Sequence, residues 1–82
     1  MWNNKLYERR DIEDLIYKLS NHQKAIGIFK FKGGVKLCKK GTQQFKQLMD
    51  ECGWRLRGVY KTGIEADYLR NELKEIFQEV DQ

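Results

Sequence analysis

Between residues 11 and 21, apolar side chains recur at Ile12, Leu15, Ile16 and Leu19, at steps of three, one and three. That spacing gathers all four on one face of a helix. Asp11 stands where a cap would accept bonds from the free amides of the first turn, and Asp14 lies in that turn. Both suit the positive end of the helix dipole. Ser20-Asn21-His22 reads as the end of this element. Ahead of it, residues 1–10 form either a lead-in or a further helical turn, with Trp2 expected to pack onto the core.

The pattern then changes period. AIGIFKFK is rich in β-branched and aromatic residues, Gly33-Gly34 follows, and VKLCKK resumes. Two strand-like runs around a glycine pair predict a hairpin, because glycine accepts the positive φ that tight turns require. A two-residue Gly33-Gly34 turn pairs Lys32 with Val35, Phe31 with Lys36, Lys30 with Leu37 and Phe29 with Cys38. Phe29 and Phe31 then share one face. Lys30, Lys32, Ile26, Ile28, Val35 and Leu37 share the other. A bulge or a longer turn shifts the pairing. Which face is buried stays open at this point. Buried phenylalanines leave the bases outward, whereas exposed ones offer rings on which nucleotide bases stack.

A second helical stripe, Phe45, Leu48, Met49 and Cys52, predicts a helix over 43–52 that begins after Gly41-Thr42 and stops at Gly53. WRLRGVYK, 54–61, alternates as a half-buried strand, with Trp54, Leu56 and Tyr60 on one face and Arg55, Arg57, Val59 and Lys61 on the other. Thr62 and Glu65 have the spacing of a capping box. A last helix over 64–80 lines its inner side with Ala66, Leu69, Leu73, Ile76, Phe77 and Val80, and much of the remainder is acidic. The order α-β-β-α-β-α predicts an α+β single domain spanning 1–82, a three-stranded sheet with helices mainly on one face. The third strand is either a parallel crossover partner or an antiparallel neighbour.

Composition limits what this frame can do. A chain of 82 residues buries only about 60–65% of its unfolded surface. Ten aromatic residues help to fill so small a core. No apolar run approaches membrane-span length, so no membrane partner is expected. MWNNKLYERR lacks the apolar segment and cleavage site of a signal peptide, and an intracellular, cytoplasmic protein is expected. Cys38 and Cys52 are then expected to be reduced, small hydrophobes.

Catalytic signatures are sparse. His22 is the only histidine. With Cys38 and Cys52 it lacks zinc-ligand spacing, and no third residue completes a Cys-His nucleophile pair. Gly33-Gly34-Val35-Lys36 is too short for a phosphate loop and leads into a strand. No enzyme activity, metal or cofactor is expected.

Charge is the feature that stands out. The net charge is +4, yet residues 1–22 sum to zero, residues 23–63 to +8 and residues 64–82 to -4. The middle supplies Lys30, Lys32, Lys36, Lys39 and Lys40 from the hairpin, Arg55, Arg57 and Lys61 from the third strand, and Lys46 from the second helix. If one sheet face packs on helices, the opposite face can gather these bases into a platform for phosphates. Edge-strand lysines that discourage edge pairing would produce part of the same pattern. The expected function is a non-enzymatic module contacting DNA or RNA. In size and lopsided charge the chain resembles small accessory proteins of phages and mobile elements. The alternative is a protein-interaction module that uses the acidic last helix, with Trp2, Tyr7 or Tyr68 as anchors. The chain is expected as a monomer, or as a homodimer paired through the hairpin edge.

Overall fold

The computed structural model describes residues 5–21, 25–61, 63 and 65–80, with backbone alone at 79 and 80. Trp2, His22, the Thr62 cap, Ile64 and the Val80 side chain lie outside the described residues. Three helices and three strands follow in the expected order. They are α1 (Ile12–Ser20), β1 (Ile26–Phe31), β2 (Gly34–Lys39), α2 (Gln43–Cys52), β3 (Leu56–Tyr60) and α3 (Ala66–Val80).

The chain turns helical earlier than the Asp11 cap implies. A 3-10 turn, Arg9–Asp11, leads into α1, and the Asp11 carboxylate reaches back to accept the Glu8 backbone N–H at 2.9 Å. Asp11 therefore caps this preceding turn and makes no side-chain cap bond to α1. By contrast, Thr42 caps α2 as expected, its hydroxyl accepting the Phe45 N–H at 3.2 Å.

The sheet order is β2-β1-β3, with β1 antiparallel to both neighbours. β2 and β3 consequently run parallel with β1 between them, and α2 must cross over β1 to join them. The hairpin register differs from the expected one: Phe31 pairs with Gly34, Lys30 with Val35, Phe29 with Lys36 and Ile28 with Leu37. The turn is Lys32-Gly33, and Gly33 carries the positive φ of 88°. Gly34 is a strand residue placed against the N-terminal segment. Tyr7 pairs with Val35 through bonds of 2.7 and 2.8 Å, and a Cβ on Gly34 would collide with the Tyr7 carbonyl oxygen. Moving the turn back by one residue shifts both strands together, so each side chain keeps its face.

The face with Ile26, Ile28, Val35 and Leu37 is the one that closes against α1 and α3. These four join Tyr7, Leu15, Ile16, Leu19, Tyr60, Leu69, Leu73, Ile76 and Phe77 in one buried cluster, with Ile12 at its margin. Tyr7 is 1% exposed, so it is a core residue and not an anchor for a partner. Arg9 and Arg70 fasten the helical layer. Arg9 donates to the Phe77 carbonyl at 3.1 Å, and Arg70 grips both Glu13 carboxylate oxygens at 3.0 and 3.1 Å. Among the described residues, no helix is long and apolar enough to cross a membrane.

On the opposite face lie Gly27, Phe29, Phe31, Lys36 and Cys38. Here α2 is the cover. Phe45 meets Phe29 edge-on, with ring centroids 5.7 Å apart, and a Cβ on Gly27 would stand 2.7 Å from the Phe45 ring. Phe29 and Cys38 are buried beneath this cover, but no residue of α2 is itself fully buried. Leu48 and Cys52 of its stripe are half-buried and Met49 is exposed, so a single short helix roofs the face only in part. Both cysteines are unbridged.

β3 departs from simple alternation. Gly58 pairs with Ile28 and Leu56 with Phe29, which leaves Arg57 as the extra residue of a bulge. Leu56 and Val59 therefore face α2, whereas Gly58 and Tyr60 face the main core. The expected common face for Leu56 and Tyr60 is corrected by that one inserted residue. Trp54 and Arg55 precede the strand in a 3-10 turn, Gly53–Arg55, so the strand is shorter than 54–61.

Candidate functional site

The eight basic residues that the sequence assigns to the hairpin and the third strand do not gather on one outer sheet face. β1 runs toward the hairpin turn while β2 and β3 run the other way, and this geometry sorts the bases by position along the strands. Lys30, Lys32, Lys36 and Arg55 collect at the hairpin end. Lys39, Lys40 and Lys61 lie at the far end, beside the Ile26–Lys39 and Ile26–Tyr60 pairs. Arg57 occupies the bulge at the outer edge of β3. Lys30 and Lys39 also belong to the face that packs on α1 and α3, whereas Lys36 belongs to the α2 side.

The hairpin-end group has internal order. Phe31 sits on the central strand, and cations reach its ring from both sides. The Lys36 ammonium, from β2, lies 4.8 Å from the ring centroid. The Arg55 guanidinium, from the turn before β3, lies 4.7 Å from it. The same guanidinium is 4.2 Å from the centroid of Trp54. Arg55 is fixed a third way, donating to the Lys30 carbonyl at 3.0 Å. Lys36, Phe31, Arg55 and Trp54 thus form a ladder that alternates cation and ring. Lys32 stands exposed in the adjoining turn, and Trp54, the last member, is 70% exposed.

Each member owes its place to local structure. Phe31 and Lys36 share a face because antiparallel pairing sets them diagonally across the hairpin. Trp54 and Arg55 are carried there by the turn that ends α2, which delivers the chain back to the hairpin end. The sequence placed Trp54 on the inner face of a strand. The missed signal is Gly53, immediately before it: the break that stops α2 also delays the strand and turns the indole outward.

Away from this patch, Cys38, Tyr60 and Tyr68 titrate above their ordinary ranges. Burial pushes the Cys38 thiol up, with the Thr42 hydroxyl 3.7 Å away opposing in part, so the thiol is held in its neutral form. Burial, with Glu72 close by, pushes Tyr60 up to about 12. Its hydroxyl donates to Glu72 at 3.5 Å. The Glu72 carboxylate also raises Tyr68, which is exposed on α3. Among the described residues, no three His, Cys, Asp or Glu side chains are grouped to hold a metal ion.

No family model, curated protein or solved structure matches the chain.

Proposed function

We propose that this protein is a non-enzymatic binding module that contacts nucleic acid through the hairpin-end patch of Lys32, Lys36 and Arg55, with Lys30 contributing its backbone carbonyl as the Arg55 acceptor. The observation that supports this reading best is the ladder. Two cations are brought to one ring, one of them locked by a backbone bond and a second ring, and an exposed lysine adjoins them. Pre-positioned cations bind phosphates without first losing side-chain freedom, and Arg is the cation that both stacks and forks. The sequence-wide concentration of bases between residues 23 and 63 adds a longer-range field that draws in polyanions.

The test is a titration of labelled DNA and RNA at low salt. Binding that weakens steadily as salt rises is expected, because each neutralised phosphate releases counterions. Replacing Lys36→Ala together with Arg55→Ala should weaken it about tenfold, to a similar degree for different sequences. A wild-type chain that shows a folded circular dichroism spectrum and no binding at low salt rules the proposal out.

A protein-interaction role is favoured by one separate observation. Tyr17 on α1 and Tyr68 on α3 are 69% and 55% exposed on the acidic helical layer. Exposed tyrosines among carboxylates suit a basic protein partner. Nuclease-insensitive capture of one specific protein, lost on Tyr68→Ala, would support that reading over the first.

A further inference from the structure

We infer that the nucleic acid taken by this patch is single-stranded and that one of its bases stacks on Trp54. The inference rests on the proposed function and deepens it. Phe31, the inner ring of the ladder, is half-buried and already faces Lys36 and Arg55. Trp54 is different: the Arg55 guanidinium holds it from one side, and the indole is otherwise largely open to solvent. An indole held in this way is a platform that extends the ladder by one further flat group.

The chemistry of that group follows. A flat partner on Trp54 has Arg55 one step inward, and the patch of Lys36 and Lys32 continues from it. A base joined to a phosphate backbone matches that order of ring and charge. Bases inside a duplex have both faces covered by their neighbours, so away from the two end pairs only an unpaired base can offer a face to the indole. A strand whose bases are free therefore makes both contacts, whereas a duplex reaches the cations alone.

The test compares a short labelled oligothymidine with a blunt duplex of equal nucleotide count, at one low salt concentration. It uses the full chain and its Trp54→Ala and Trp54→Phe variants. At 70% exposure the side chain supports little of the fold, and circular dichroism checks this. Trp54→Ala should weaken single-strand binding about tenfold and duplex binding by a much smaller factor, the latter through the looser hold on Arg55, while Trp54→Phe should recover most of the loss. Oligothymidine should quench the indole fluorescence of the wild type, and that quenching should disappear in Trp54→Phe.

Unchanged single-strand affinity in Trp54→Ala, with salt-dependent binding intact, overturns the inference and leaves the proposed function standing. Equal losses on single strand and duplex overturn it as well, as does a wild-type preference for duplex. Absence of any binding by the wild type overturns both readings together.

Discussion

Ile26 and Ile28 on one side of β1 and Gly27, Phe29 and Phe31 on the other share a strand, yet they meet different surroundings. The isoleucines disappear under two helices, α1 and α3, into a cluster made almost wholly of aliphatic and aromatic side chains. The opposite side meets one short helix, and toward the hairpin end that cover runs out. There the rings are finished by cations in place of further apolar groups. The difference follows from connectivity. α2 must cross β1 to link β2 with β3, and its ten residues span only part of the face. The partly covered side is therefore the one that has rings and charges at the surface, and the closed side holds the fold.

The sharpest way to break this comparison is to truncate one residue on each side. Ile28→Ala empties a fully buried site beneath α1 and α3 and should cost about 3 kcal/mol. Phe45→Ala removes a larger side chain, but a half-buried one, and should cost about 2 kcal/mol. Urea denaturation of the two variants measures both. A larger loss at Phe45 would show that α2 contributes as much as the closed side.

A second perturbation addresses how β2 is held. Gly34→Ala sets a methyl against the Tyr7 carbonyl, a backbone group that cannot swing away. It should cost about 2 kcal/mol and loosen the Tyr7–Val35 pairing, seen as faster amide exchange at Val35. Gly27→Ala also crowds its neighbour, but that neighbour is the edge of the Phe45 ring. It should cost less, about 1 kcal/mol. The order of the two reports whether the rigid contact lies on the edge of the sheet or under α2.

The closed side also has a pH signature. Tyr60 has its pKa raised from 10.0 to about 12 in the folded protein, first by burial and then by Glu72. Between those values the folded state binds the proton that the unfolded state has released, so stability falls as pH rises. The contribution is complete below pH 10 and is lost as pH passes through about 12. Thermal melts over this range should drop more steeply for the wild type than for Tyr60→Phe. Parallel curves would remove Tyr60 from the account.

Much of this was legible in residue spacing. The stripes Leu15/Ile16/Leu19 and Leu69/Leu73/Ile76/Phe77 named the closed side, because a buried helix face must repeat with the helix period. The hairpin was legible from its glycines. Its register was not, because Gly33 and Gly34 each satisfy a different demand: one takes the positive φ, the other clears Tyr7. Only a contact from 27 residues away in the chain distinguishes them. The bulge at Arg57 was equally hidden, and it divided Leu56 from Tyr60 and Arg57 from Arg55. The basic residues were legible as a set, but not their sorting to two ends of the sheet, which depends on β1 being central. Trp54 was read as a strand residue facing inward because the alternation was started two residues before the strand's true start at Leu56.

The claim that function belongs to the hairpin end of the partly covered side is tested most directly by comparing two triple variants. One replaces Lys32, Lys36 and Arg55 by Ala, the other Lys39, Lys40 and Lys61, so both remove the same charge. Each is titrated with labelled oligothymidine across a series of salt concentrations. The hairpin-end variant should lose most of the affinity and flatten the salt dependence by about one unit of log-log slope per phosphate contact removed. The far-end variant should stay close to wild type in slope. Equal losses from the two variants would mean that net charge alone attracts the strand, and would contradict the site.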